Sequence, residues 1–146
     1  MNNKYKKIVV PVDLEHESSW KSSLPIAIDF ARQSGATLYV VTVVPNSDIP
    51  AIAAHLPADA DKHIREGGVS ILQALVTEQV PQDVTAEAVV SQGTVHREIL
   101  HIADDLDADL IVMASHRPEL YDYFIGANAA HVTRHAKCSV MVVREK

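Results

Sequence analysis

Five short runs of β-branched and aliphatic residues, each separated from the next by a stretch with helical spacing, constrain this chain most. The runs are Ile8 to Val12, Thr37 to Val44, Val84 to Val90, Leu110 to Ala114 and Ser139 to Val143. Short apolar runs of this kind belong to strands that are covered on both faces. The third run alternates more than the others, which predicts a place nearer a sheet edge. Strand and helix in strict alternation predict an α/β sandwich on a parallel sheet, and right-handed crossovers then put helices on both faces.

The intervening segments carry the helical signals. Ser18 to Ser34 places Trp20, Leu24, Ile28 and Ala31 at core spacing, with Gly35 as the stop. Pro25 falls inside that pattern, so the helix bends there or its regular part begins later. Ala58 to Glu78 places Ile64, Ile71, Leu72 and Leu75 on one side, and the Gly67-Gly68 pair marks a weak point. Val95 to Leu106 puts Ile99, Ile102, Ala103 and Leu106 on one stripe. Gly126 to Lys137 is alanine-rich and helix-competent. The segment Pro45 to Pro57, with three prolines, reads as a connector or a flap.

The 146 residues are enough for one domain with a real core, and the whole chain is expected to form one. A formal net charge of -6 disfavours a general nucleic-acid role. No apolar run reaches the roughly 18 residues that suggest a membrane span, so no membrane insertion is expected. The N-terminal run is too short for a secretory signal and breaks at Pro11 and Asp13. Cys138 is the single cysteine and sits in a strand pattern, where a buried inert thiol is expected. These features suit a cytoplasmic location.

Ligands of open parallel sheets bind beyond the carboxyl ends of the strands, at the switch in strand order. Asp13, Val43 and Ser115 stand at such ends. Asp13 either starts a turn or caps a helix, or receives hydrogen bonds from a ligand hydroxyl or amino group. After the fourth run comes Ala114-Ser115-His116-Arg117-Pro118, followed by Gly126-Ala127-Asn128-Ala129-Ala130 at the expected start of the last helix. Free N–H groups and the helix dipole make such a place suited to an anion. The Arg117 guanidinium can fork onto two phosphate oxygens or lie solvated in the loop. No GxxxxGK[ST] or GxGxxG loop is present, and no GxSxG elbow surrounds Ser115. His131 and His135 share a helix face, but neither an HExxH motif nor a cysteine cluster accompanies them; no metal site is expected.

Taken together and in order, KKIVVPVD, ATLYVVTVV, SQGTVHREILHIADDLDADLIVMASHR and IGANAAHVTRHAKCSVMVV resemble the universal stress protein family over almost the whole chain. The wording is most similar to the small single-domain members of the F and G types. The resemblance implies a five-stranded parallel sheet in order 3-2-1-4-5, of the adenine nucleotide alpha hydrolase-like kind, and a homodimer through the last strand, Ser139 to Val143. It implies ATP or another adenine nucleotide as ligand, with Mg2+ only as the nucleotide's companion. By position, Val12, Asp13 and Val43 would meet adenosine. Ala114, Ser115, Arg117, Gly126, Ala127 and Asn128 would meet the phosphates.

The family's phosphate loop has the form G-x2-G-x9-G-[ST], and this chain departs from it. Ala114 and Arg117 replace two glycines, the second spacer has eight residues, and Ala127 replaces the hydroxyl residue. The lost hydroxyl alone removes about 1 kcal/mol, roughly fivefold in affinity. Three readings follow: a nucleotide-responsive regulator in stress response; a nucleotide-free dimeric interaction module, such as a transporter-associated regulator; and a slow ATPase. No nucleophile with its base is legible for the third, so no catalytic residue is assigned. The protein partner is not legible in the chain.

Overall fold

The computed structural model describes residues 5–44, 60–115 and 123–144, with the side chains of 60, 61 and 123–126 left aside. Pro45 to Pro57 and His116, Arg117 and Pro118 therefore lie outside the described residues. Five strands, β1 (Lys7–Pro11), β2 (Thr37–Val44), β3 (Ala86–Gln92), β4 (Leu110–Ser115) and β5 (Ser139–Arg144), form one parallel sheet in the order β3-β2-β1-β4-β5. Four helices connect them: α1 (Ser23–Ser34), α2 (Ala60–Gln79), α3 (Val95–Leu106) and α4 (Tyr123–His135). The architecture and strand order are those expected, with β3 at one edge and β5 at the other.

Alternate residues of the buried strands feed two cores. Ile8, Val10, Leu38, Val40, Leu110 and Val112 face Leu24, Ile28 and Leu72 from α1 and α2. Val9, Val41, Ile111 and Met113 face Ile99, Ile102 and Val132 from α3 and α4. The crossovers before β3 (α1, α2) and after it (α3, α4) thus cover opposite faces, and the gap between β1 and β4 at their carboxyl ends is the topological switch point.

Four boundaries differ from expectation. The expected start of α1 at Ser18 is instead a 3-10 turn at Glu17–Ser19, and the helix begins at Ser23. Pro25 then sits in the first turn, where its missing N–H costs nothing. β3 begins two residues later than Val84, which is buried but donates its N–H to the Pro81 carbonyl in a turn. α2 runs unbroken through Gly67-Gly68, because a Cβ on Gly68 would lie 3.1 Å from Val44 Cγ1 and 3.5 Å from Val90 Cγ1; the glycine lets the helix sit close on the sheet. Lastly, α4 begins at Tyr123 rather than Gly126 and ends at His135. Among the described residues no helix is long and apolar enough to cross a membrane.

Candidate functional site

The chain leaves β1 through Val12, whose main chain is fully engaged. Its N–H donates to the Val41 carbonyl at 2.7 Å, and its carbonyl accepts from the buried Thr42 Oγ1 at 2.9 Å. This double tie fixes the next residue, Asp13, at the switch point. The loop behind it is set by Ser19, 1 % exposed, whose Oγ accepts from the Asp13 N–H at 2.8 Å and donates to the His16 carbonyl at 2.7 Å. Ser23 Oγ in turn donates to the Ser19 carbonyl at 3.2 Å.

The Asp13 side chain is about one-fifth exposed. Oδ1 accepts from the Glu15 N–H at 3.0 Å, an Asx-type turn, and Oδ2 lies 2.9 Å from His16 Nδ1. A carboxylate has about four lone-pair sites, so two local bonds leave capacity for a ligand. Both roles foreseen for Asp13, turn former and hydrogen-bond acceptor, are open to the same group.

Asp13 stands at the mouth of a crevice lined by Pro11, Val12, Val41, Val43, Val95, Ile99, Met113 and Asn128. The crevice measures about 400 Å³ with its open mouth, and the centre of a water molecule reaches about 30 Å³ of it. It is a narrow, largely apolar slot with polar groups at one end, the usual make-up of a small-molecule site. Its lining comes from β1, β2 and β4 and the residues that follow β1, from Val95 and Ile99 of α3, and from the buried Asn128 of α4.

Of the residues singled out in the sequence, Val12, Asp13, Val43 and Asn128 meet here. Ala114 and Ser115 stand at the end of β4, paired in register with Val143 and Arg144, and are not among the residues lining the slot. Arg117 lies outside the described residues. Gly126 and Ala127 correct an expectation: because α4 starts at Tyr123, Gly126, Ala127 and Asn128 belong to its second turn. The apolar lining from Pro11, Val41, Val95, Ile99 and Met113 escaped sequence reading, since each looks like an ordinary core residue. The signal was positional: three of them sit at or near the carboxyl ends of β1, β2 and β4.

Among the described residues no group of three or more His, Cys, Asp or Glu is arranged to hold a metal ion.

Comparisons with known proteins agree with this geometry. The family model of the universal stress protein family matches residues 4–144. Universal stress protein G of Escherichia coli O157:H7 is 30% identical over 145 residues, covering 96% of this chain and 99% of its own. Among solved structures, universal stress protein UspA from Lactobacillus plantarum superposes with a TM-score of 0.70 at 24% identity, covering 98% of this chain and 100% of its own. The universal stress protein from Archaeoglobus fulgidus in complex with dAMP superposes with a TM-score of 0.62 at 22% identity, covering 94% and 97%. The chain described here belongs to the universal stress protein family.

Proposed function

We propose that this protein binds an adenine nucleotide in the slot at the switch point and acts in stress response as a ligand-responsive regulator. The observation that carries the reading is the meeting of Asp13, Val43 and Asn128 around one apolar slot at the strand ends. A flat base enters such a slot, and the Asp13 carboxylate has acceptor capacity for a ribose hydroxyl or an exocyclic amine. The dAMP held by the Archaeoglobus fulgidus relative supports the ligand class. Phosphates would extend toward the carboxyl end of β4, beyond which Arg117 stands two residues after Ser115 in the chain.

Calorimetry with adenosine, AMP and ATP tests this. Asp13→Ala should weaken all three alike, by roughly 1.5–3 kcal/mol, the range for a hydrogen bond to a charged group. Arg117→Ala should weaken ATP more than AMP. Absence of binding by any of the three at millimolar concentration overturns the reading.

A second reading, a nucleotide-free dimeric module, is favoured by one observation: Gly126 to Asn128 lie inside α4 rather than at its start. Both readings share an assembly. β5 is an edge strand whose Val140, Met141, Val142 and Val143 are only half-buried, and an apolar edge is a liability until paired. Pairing of two β5 strands gives an isologous homodimer. Light scattering should report twice the 16.0 kDa of one chain.

A further inference from the structure

Three imidazoles line up on the helix pair that walls the slot. His96 directly follows Val95 in the first turn of α3, and His131 lies three residues past Asn128 on α4; Val95 and Asn128 both line the slot. The His96 and His131 rings stack, with centroids 4.2 Å apart and planes 13° from parallel. His135 continues the stack at 6.5 Å from His131, with an interplanar angle of 16°. Among the described residues these rings are not part of a group of three or more His, Cys, Asp or Glu arranged to hold a metal ion.

The surroundings oppose a proton on His96. Among the described residues, the charges that most oppose it are those of His131 and His135 from α4 and Arg97 on its own helix. Glu98, the next acid along α3, is turned away to accept a hydrogen bond from Ser91 on β3. The sheet side of α3 packs on Tyr39, Val43 and Val89. The positive end of the α3 dipole adds to the penalty. Burial first, then the His131, Arg97 and His135 charges, hold the His96 imidazole below its ordinary value.

We propose that the His96–His131 stack is a proton-operated clasp on the slot: neutral, it holds the first turn of α3 against α4, and protonated, it drives them apart and weakens ligand binding. The sign follows from linkage. A form with the helices parted takes up the proton more readily than the stacked form. The stacked form is therefore fully stable above the ordinary imidazole range near 6.5 and loses stability as pH falls through it, the loss being complete below the native value of His96. The ligand half of this inference rests on the adenine reading above; the clasp itself does not.

Two measurements on the full chain test it, each between pH 7.5 and 5.5: the thermal midpoint without ligand, and the calorimetric affinity for adenosine, a probe with no phosphate to titrate. They are made on the unmodified protein and on His131→Phe and His96→Phe, which keep an aromatic stack without the proton. The unmodified protein should lose adenosine affinity on acidification, together with thermal midpoint. Both Phe variants should lose much less of either. Superimposable pH profiles of the unmodified protein and the Phe variants overturn the clasp, whether or not adenosine binds. A pH-dependent midpoint that the Phe variants abolish, without adenosine binding at any pH, upholds the clasp and removes the adenine reading.

Discussion

Ser19 holds Asp13 from behind: the Asp13 N–H donates to Ser19 Oγ at 2.8 Å, and that hydroxyl spends its own proton mainly on the His16 carbonyl at 2.7 Å. One buried hydroxyl thus closes the loop that aims the Asp13 carboxylate. Ser19→Ala should cost about 1–3 kcal/mol in urea denaturation, because it leaves the part-buried Asp13 N–H without its acceptor, whereas the His16 carbonyl keeps the Ser19 N–H at 3.0 Å. It should also weaken adenosine binding although Ser19 does not line the slot. Unchanged affinity in a folded Ser19→Ala protein would mean that the turn around Glu15 and His16 sets the carboxylate by itself.

The two adjacent glycines of α2 make a matched pair. A Cβ on Gly67 meets nothing within 4 Å, whereas one on Gly68 meets Val44 Cγ1 at 3.1 Å. Gly67→Ala should therefore stabilise the protein by about 0.5–1 kcal/mol, the helical cost of glycine relative to alanine. Gly68→Ala should gain less, since Val44 must yield, and Gly68→Leu should destabilise outright. Denaturant midpoints of the three variants order them. Equal gains at both positions would show that α2 is free to lift from the sheet.

What the sequence made legible tracks the period of each element. Strands buried on both faces, such as Ile8 to Val10 and Leu110 to Ala114, announce themselves by unbroken aliphatic runs; their parallel pairing followed from the alternation with helices, and their order from the family resemblance. β3 is an edge strand, so its pattern was weak and its start was misplaced onto Val84, a buried turn residue. Pro25 marked the onset of α1, because proline fits a first helical turn. Asp13 and Val43 were found because they stand where strands end. Gly126 misled, for glycine is read as a loop or cap residue, yet here it lies inside α4. The slot's walls, Val95, Ile99 and Met113, carry no local signal: their role comes only from the three-dimensional gap between β1 and β4.

Cys138 lies between α4 and β5, half-buried and without a disulfide. Burial is the main cause that raises its thiol above the ordinary value, helped by the charges of Asp104 and Asp109. Little thiolate exists near pH 7, so iodoacetamide should label the native protein more slowly than free cysteine and the urea-unfolded chain at the free rate. The linkage runs to alkaline pH: the unfolded thiol ionises first, so this group's contribution is full at neutral pH and is lost as pH rises through the ordinary thiol range toward the native value. Native labelling as fast as free cysteine at pH 7 would contradict the burial argument.

The end of α3 stores strain that one substitution should release. Asp107 has φ 55°, the only positive φ at a non-glycine position among the described residues. It is forced there by a complete Schellman closure, with Ala108 N–H donating to the Ala103 carbonyl at 2.9 Å and Asp107 N–H to the Asp104 carbonyl at 3.1 Å. The left-handed conformation is costly for a side chain with a Cβ, and the carboxylate sits at the negative end of the helix dipole. Lys7 relieves part of this by donating from Nζ to the Leu106 carbonyl at 2.8 Å. Asp107→Gly should therefore raise stability by about 0.5–1 kcal/mol, after glycine's larger unfolded-state entropy is set against the strain removed. Asp107→Asn, which keeps the Cβ and loses the charge, isolates the dipole part at about 0.3–1 kcal/mol, a gain that salt should diminish. Asp107→Ala keeps the strain without a side chain able to bond locally and should fall below both. If the Gly and Ala variants prove equally stable, the backbone at Asp107 is not strained and the Schellman closure is not what ends the helix.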